Sequence, residues 1–256
     1  MINLYLIAIK TIWFKEIRRF MRIWIQTLLP STITIVLYFI IFGELIGKKI
    51  GDMNGIKYIE FIVPGLIMMS VITNSYANVS SSFFSAKFQK NIEELLTAPI
   101  SSHILIIGFI GGGVFRGILI SIIVTIISLF FISLHIYSYT IVIIITLMTS
   151  IVFSLAGFIN AIYAKSFDDI SITPTFILTP LSYLGGIFYS LNILPCFWQK
   201  ISKLNPIVYM ISGLRYGFLG ITDISIYITI ILLLLLIFSL YIISWYLIVN
   251  GKELKC

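Results

Sequence analysis

Charged residues are scarce in this chain. Of its 256 residues, 59% are hydrophobic and only 11% are charged, whereas a soluble domain carries roughly a quarter charged residues. This scarcity excludes a soluble fold. Several uninterrupted apolar runs reach the ~20 residues that a helix needs to cross the hydrocarbon of a bilayer, and they lack the alternation of a transmembrane β-barrel. The sequence therefore predicts an all-α, multi-pass integral membrane protein.

Residues that build catalytic or metal sites are equally scarce. The two cysteines, Cys196 and Cys256, are far apart and fall on opposite sides of the predicted topology, so we expect neither a disulfide nor a metal site. His103 and His135 lie at predicted helix ends without partner ligands. Nothing clusters in the way that a membrane-embedded enzyme requires. We expect no catalytic residue, no cofactor and no metal.

A nucleotide-binding motif is also missing. The stretch from Gly43 to Lys48 has three residues between its glycines and is followed by Lys49, whereas a phosphate loop has four and continues with Ser or Thr. No polar segment is long enough for an ATPase domain. The chain therefore cannot power transport alone.

The net charge of +7 would suggest nucleic acid as a partner in a soluble protein. Here the basic residues adjoin apolar runs, where they meet anionic lipid and set the orientation of the spans. The sequence therefore predicts membrane lipid, and no nucleic acid, as a partner.

The apolar runs predict six spans and an amphipathic N-terminal helix. Residues 1–22 place Leu6, Ile9, Trp13, Ile17 and Phe20 on one side and Lys15, Arg18, Arg19 and Arg22 on another, as in an interfacial helix. The spans are expected at about 23–42 with a kink at Pro30, 59–84, 117–134, 139–164, 170–191 and 224–249. Arg116 falls just outside the third span and can snorkel to the interface, although a buried ion pair is an alternative.

The distribution of basic residues predicts the orientation. Ten Lys and Arg residues fall on the side of the two termini and six on the other side, with Arg116 left out. By the positive-inside rule, both termini lie in the cytoplasm of a bacterial-type inner membrane.

Three polar residues follow one face of the second span. Asn74, Asn78 and Ser81 are spaced i, i+4, i+7, and polar side chains at this depth usually face the interior of the bundle. They either line a pathway or form interhelical hydrogen bonds, and the sequence does not separate these two interpretations.

A short amphipathic helix is predicted at about 89–98, between the second and third spans. Asn91 can cap it and Glu94 can close a capping box. An anionic leaflet would repel its two acidic residues, so this helix favours a protein partner over the lipid surface.

The chain before the last span, at about 192–220, is too polar to span and too apolar to be an ordinary loop. Pro195 can open one short helix, and Asn205 with Pro206 breaks the chain and restarts it. Two such helices between spans predict a re-entrant element, which is tolerated at membrane depth only against protein or a water-filled cavity.

These two segments, FQKNIEELLTAPIS and PLSYLGGIFYSLNILPCFWQKISKLNPIVYMISGLRYGFLG, resemble the coupling helix and the signature region of the ABC type-2 exporter family, and the resemblance runs over essentially the whole chain. It implies a permease with two copies of a separate ATP-binding subunit, and a homodimer of this chain. The resemblance also assigns roles: a partner contact at Ile92, Glu93, Glu94, Leu95 and Leu96, and an extracellular gate at Pro195, Trp198, Asn205, Pro206, Tyr209 and Arg215.

The predicted function is that of the permease subunit of an ATP-driven exporter. The alternative is an ion-coupled secondary transporter, which needs ionisable residues near the bilayer midplane. Acidic residues are predicted to lie outside the spans, and that argues against ion coupling. Because nothing charged is predicted to line the spans, an amphipathic lipid, a glycan-lipid or a drug-like molecule fits as the substrate better than a large anion.

Overall fold

The computed structural model describes residues 2–53, 55–97, 100–132 and 136–251. The side chains of Glu93 and Leu96, two of the predicted partner-contact residues, lie outside this description. Ala98, the last residue of the helix predicted at 89–98, and Leu134, the last residue of the predicted third span, also lie outside it. The described residues are almost entirely helical, as an all-α membrane protein requires.

The helices follow one another with short connections. They are α1 (Ile2–Arg22), α2 (Trp24–Thr27), α3 (Leu29–Tyr38), α4 (Gly47–Ile50), α5 (Tyr58–Phe88), α6 (Asn91–Thr97), α7 (Ser102–Leu129), α8 (Tyr139–Tyr163), α9 (Phe167–Thr173), α10 (Thr179–Leu184), α11 (Cys196–Leu204), α12 (Pro206–Leu219) and α13 (Ile226–Asn250). Wider π turns occupy Phe39–Ile46 and Pro174–Leu178, and one 3-10 turn occupies Leu191–Ile193. Strands β1 (Asp52–Met53) and β2 (Ile56–Lys57) form a small antiparallel hairpin.

Five helical segments of the described residues are long and apolar enough to cross a membrane: Trp24–Gly43, α5, α7, α8 and α13. The first of them is broken near Leu28, one turn into the span, and Pro30 lies in the first turn of the helix that follows. The interruption is local, since Leu28 keeps helical dihedrals and its N–H and C=O bond to Trp24 and Thr32. Proline lacks the N–H that would continue the hydrogen-bond ladder.

The predicted fifth span at 170–191 is not among those five. Its residues follow a helical path from Phe167 to Leu184, interrupted by the π turn at Pro174–Leu178, and end at Gly185. Pro174 and Pro180 each remove a backbone donor from this path. Gly186 then turns the chain with a φ of 79°, a conformation that glycine adopts without steric cost.

Helix α7 begins before the predicted third span. The span was predicted at about 117–134, whereas α7 starts at Ser102 and passes straight through the run of glycines at 111–113. Those glycines face neighbouring helices: a Cβ on Gly112 would lie 2.6 Å from Glu16 Cβ, and one on Gly113 would lie 2.5 Å from Val79 Cγ2. Close helix contact, which small residues permit, offsets their weak helix propensity.

Helix α5 is the centre of the bundle. In its most apolar window 78% of the residues are buried, against 11% in α13, so α5 is surrounded by protein and α13 faces outward. Phe83 of α5 packs on Phe158 of α8 with ring centroids 4.4 Å apart, and on Phe109 of α7 at 5.3 Å. Helices α6, α7 and α12, which carry candidate site residues, contact α5 directly, and α11 contacts α12.

The side of α1 that contacts the protein carries both apolar and charged residues. The buried side of α1 carries Ile12, Glu16 and Phe20, whereas Leu6 and Trp13 of the predicted apolar side are 51% and 41% exposed. Helix α1 therefore packs alongside the first half of α7, and part of its apolar surface faces away from the protein. This arrangement follows from the glycine-lined face of α7, which lets α1 approach closely.

Candidate functional site

The segment predicted to be re-entrant contains two short helices, α11 and α12, that meet at Asn205. The Asn205 side chain caps α12 by accepting a hydrogen bond from the backbone N–H of Ile207 at 3.0 Å. Its amide donates to the carbonyl of Leu181 at 2.6 Å, which ties the junction to α10. Pro206 is the first residue of α12, and Pro195 is the N-cap of α11.

Arg215 fixes α12 from inside. It is 3% exposed, donates through Nη2 to the carbonyl of Gly186 at 2.7 Å, and lies 3.4 Å from Asp223 through Nη1. Its guanidinium carbon lies 3.9 Å from the centroid of the Phe61 ring. Ser190 donates to the other Asp223 oxygen at 3.3 Å. The predicted gate residue thus joins α12, α5 and the turn after α10.

Asp223 was missed by the sequence analysis. The signal that could have identified it is its isolation, since it is the sole acidic residue between Asp169 and Glu253.

The remaining predicted gate residues, Trp198 and Tyr209, are more exposed than Asn205 and Arg215. Trp198 is 46% exposed, and two more apolar side chains of α11, Phe197 and Leu204, are 67% and 85% exposed. Tyr209 donates from its hydroxyl to the carbonyl of Lys203 at 2.9 Å, linking the two helices. Helix α11 therefore presents an apolar side that the other described residues leave uncovered.

The polar stripe of α5 meets a buried cation. Arg116 donates through Nε and Nη2 to Asn74 Oδ1 at 3.2 and 2.8 Å, and through Nη2 to the carbonyl of Thr27 at 3.0 Å. Asn74 donates in turn to Ser31 Oγ at 3.0 Å. The prediction that Arg116 snorkels at a span end is wrong: it is 8% exposed in the middle of α7, and it binds the carbonyl at the break in the first span.

The second residue of the stripe meets α1. Arg19 Nη2 donates to both Asn78 Oδ1 and the Asn78 carbonyl at 3.0 Å, and lies 3.4 Å from Glu16 Oε2. Ser82 donates to Glu16 Oε1 at 2.6 Å. Ser81 bonds only to the carbonyl of Asn78, at 3.2 Å, and is partly exposed. The bonds of Asn74 and Asn78 support a packing role for both, and a pathway role for the stripe stays a prediction.

Glu16 and Arg19 were not predicted to lie inside. Arg19 was assigned to the basic outer face of α1, and acidic side chains were expected outside the bundle, yet Glu16 is 1% exposed. The available signal was the spacing of Glu16 from Ile12 and Phe20, four residues away on either side.

The cluster around Asn74 allows a direct test. Asn74→Leu leaves the guanidinium of Arg116 without its main acceptor, and we expect a loss of about 2–3 kcal/mol in the free energy of unfolding. In the double variant Asn74→Leu, Arg116→Met the buried charge is also gone, so much of the loss should be recovered. Denaturation in detergent, followed by circular dichroism, measures both. Equal stability of the two variants would contradict the assigned hydrogen bonds.

The predicted partner-contact helix appears as α6. Ile92 is 1% exposed and belongs to the buried cluster that includes Phe83 and Phe84 of α5, and Leu95 packs partly against the same cluster. Glu94 is exposed. Ile92 therefore anchors α6 to α5, and the outer surface of this helix carries Glu94.

The predicted capping box on α6 is wrong. Asn91 already belongs to the helix, and its side-chain amide donates to Gln89 Oε1 at 3.1 Å. Lys90 precedes it with a φ of 60°, so the chain enters α6 from a left-handed turn instead of the extended conformation that an N-cap residue adopts.

The end of α5 is fastened to the end of α8 beside this helix. Lys87 donates to the carbonyls of Ile162 and Ala164, which are acceptors that the C-terminus of a helix leaves open. Two exposed rings adjoin this link: Phe88 is 65% and Phe167 55% exposed, with centroids 5.6 Å apart. The turn into α9 is held by Asp169, whose pKa is lowered by hydrogen bonds from the backbone N–H groups of Lys165 and Ser166. We call the exposed residues Phe88, Glu94 and Phe167 the α6 surface.

The chain is similar to known membrane transport proteins. Residues 7–219 match the family model of the ABC-2 type transporter. The chain is 60% identical over 255 residues, covering 100% of both chains, to the inner membrane transport permease YadH of Escherichia coli (strain K12). It is also 22% identical over 186 residues, or 72% of each chain, to nodulation protein J of Rhizobium leguminosarum bv. viciae. This all-α membrane protein therefore belongs to the ABC-2 type transporter family.

Proposed function

We propose that this ABC-2 permease is the membrane subunit of an ATP-driven exporter, and that it is coupled to a separate nucleotide-binding subunit through the α6 surface. The observation that carries the proposal is the family match over residues 7–219 together with the position of α6, a short helix anchored by Ile92 that presents Glu94 outward.

The contacts behind α6 offer a mechanical route into the membrane. A force on α6 reaches α5 through the buried side chain of Ile92, and Lys87 joins the end of α5 to the end of α8. Both helices belong to the tightly packed centre of the bundle, where small displacements are transmitted because protein interiors are dense. An ATP-driven movement of the partner would therefore shift the central helices together.

The assembly we propose holds two copies of this chain and two of the nucleotide-binding subunit, with both termini in the cytoplasm. The relative from Escherichia coli is named an inner membrane transport permease, which supports the same membrane here. The re-entrant pair α11 and α12 would then form the outer gate, with Pro195, Trp198, Asn205, Pro206, Tyr209 and Arg215 as its residues.

The substrate that we propose is an amphipathic molecule, namely a lipid, a glycan-lipid or a drug-like compound. The charged side chains that the structure places inside the bundle, among them Glu16, Arg116 and Arg215, are bonded to neighbouring helices and turns, and so do not form a track for a large anion. Rapid flux of a soluble polyanion into vesicles would contradict this proposal.

Ion-coupled transport remains the second candidate because Glu16 is buried, and an intramembrane carboxylate is a typical coupling residue. If ion coupling drives transport, Glu16→Gln abolishes uptake into vesicles that contain no ATP. If transport requires ATP, those vesicles show no uptake even with the unchanged chain.

The partner contact is tested by co-purification. We expect a stoichiometric ATPase to accompany the tagged chain from its native membrane, and Glu94→Lys to reduce its recovery about tenfold, the effect of about 1.4 kcal/mol of lost binding. The matched control is Asp52→Lys, which reverses an exposed acid in the distant β1–β2 hairpin. Full recovery with Glu94→Lys would remove α6 as the contact, and the absence of any ATPase with the unchanged chain would overturn the proposed function.

A further inference from the structure

An apolar groove runs between α1, α7, α8 and α13, on a side of the bundle to which neither the outer gate nor the α6 surface contributes. Its volume is about 430 Å³. Its walls are apolar side chains from all four helices, among them Trp13, Ile17, Val114, Ile118, Leu147 and Ile237.

The length of the groove matches one leaflet of a bilayer. Along α7 it extends from Ile107 to Ile118, which at a rise of about 1.5 Å per residue corresponds to roughly 16 Å. Along α8 it extends from Leu155 to Leu147 in the opposite chain direction. A leaflet contributes about half of the roughly 30 Å of hydrocarbon. The groove therefore has the dimensions of a slot for one acyl chain.

One end of the groove carries the polar tips of aromatic residues. Trp13 donates from its indole Nε1 to the carbonyl of Ile107 at 3.1 Å. Tyr241 places its hydroxyl 2.6 Å from His103 Nδ1, and the His103 ring stacks on Trp245 with centroids 5.9 Å apart. Trp and Tyr concentrate at membrane–water interfaces, so this end lies at the headgroup level and the end at Ile118 lies near the bilayer centre.

A positively charged side chain, that of Lys10, lies beyond the interfacial end of the groove. A second, more open hollow shares Trp13 and Ile17 with the groove and continues to Phe14 and Lys10. Lys10 lies about one helical turn before Trp13 and Phe14 on the same face of α1, and it is exposed. Lipid headgroups that carry negative charge are attracted to cations in this position.

We propose that this groove binds one acyl chain of an anionic phospholipid, with the lipid phosphate beside Lys10. The lipid then fills the space between α1 and the α7, α8 and α13 walls and holds α1 in its docked position. The proposal involves neither nucleotide nor transport, so it can be tested independently of the proposed function.

The test uses photo-crosslinking on the purified full-length chain in detergent. The probes are a phosphatidylglycerol and a phosphatidylcholine that carry the same photoreactive group midway along one acyl chain, and the crosslinked positions are mapped by mass spectrometry of peptides. We expect the phosphatidylglycerol probe to label residues 107–118 and 147–155 in preference to the rest of the chain.

Two variants fill the groove from opposite walls, so that a folding defect in one does not decide the result. Val114→Trp on α7 and Leu147→Trp on α8 should each lower this labelling about tenfold, with melting temperatures measured alongside. The matched control is Leu129→Trp, at an exposed position of α7 that does not line the groove. Lys10→Gln should reduce phosphatidylglycerol labelling to the level of phosphatidylcholine, and Lys10→Arg should retain it.

Three outcomes overturn the proposal. The first is unchanged labelling in both groove-filling variants. The second is equal labelling by the two lipids in the unchanged chain, which would remove the anionic headgroup. The third is crosslinking of the groove to a second copy of this chain in place of lipid. Each of these outcomes leaves the co-purification of an ATPase unaffected.

Discussion

Arg215→Met is expected to lower the free energy of unfolding by about 3–5 kcal/mol, the range found when one partner of a buried ion pair is removed. The variant leaves the Asp223 carboxylate, which is 8% exposed, without its cation, and leaves the carbonyl of Gly186 without its donor. The contact of the guanidinium with the Phe61 ring is lost as well. Denaturation of the purified chain in detergent, monitored by circular dichroism, measures the effect.

The control for this variant is Lys203→Met, which removes a positive charge from an exposed position on the neighbouring helix α11. We expect it to be within about 0.5 kcal/mol of the unchanged chain, as for most surface substitutions. The double variant Arg215→Met, Asp223→Asn should be more stable than Arg215→Met alone, because no uncompensated charge is then buried. If Arg215→Met were as stable as Lys203→Met, the pair would not hold α12 to the bundle.

The re-entrant element shows which features of a site can be predicted from sequence. Its two helices were expected because Asn205 and Pro206 act locally: the first caps α12 and the second opens it. Arg215 was singled out by resemblance, but its contacts with Gly186, Asp223 and Phe61 join positions far apart in the sequence. Local patterns predicted the elements, and the long-range contacts required the structure.

The N-terminal helix shows how a membrane alters the interpretation of an amphipathic pattern. In water, the apolar side of such a helix is expected to face protein. Next to lipid, apolar surface has no such preference, and polar groups instead seek partners inside the protein. Glu16 is therefore buried together with Ile12 and Phe20 and is bonded to Ser82, while Trp13 is 41% exposed. The sequence predicted the apolar stripe of α1, and the structure shows which side of the helix contacts the protein.

The course of α7 also depends on tertiary packing. Three consecutive glycines weaken an isolated helix, since each costs about 1 kcal/mol relative to alanine. Tertiary packing overrides this weakness, because α1 and α5 contact α7 through the space that the missing side chains leave. The helices that these glycines contact are far away in the sequence, so the structure was needed to identify them.

The second large loss of stability is expected when Gly157 of α8 is replaced by a residue with a side chain. A Cβ at this position would lie 2.5 Å from the backbone oxygen of Tyr76 and 3.3 Å from its Cα. A flexible side chain could move away, but these are backbone atoms of α5, the central helix, so α5 and α8 themselves would have to separate. We therefore expect Gly157→Leu to exceed the usual cost of overpacking, about 1–3 kcal/mol, and Gly157→Ala to fall within that range. The measurement is denaturation in detergent, as for Arg215.

A graded series makes this prediction specific to the helix contact. Thr140→Leu adds comparable bulk to an exposed position of the same helix and should leave the melting temperature nearly unchanged. Separation of α5 from α8 would also disturb the contact of Phe83 with Phe158, the residue that follows Gly157 in α8. The near-ultraviolet circular dichroism of the aromatic residues should therefore change in Gly157→Ala before the helical signal is lost. If Gly157→Ala kept both the stability and the aromatic spectrum of the unchanged chain, the two helices could not be packed backbone to backbone at this point.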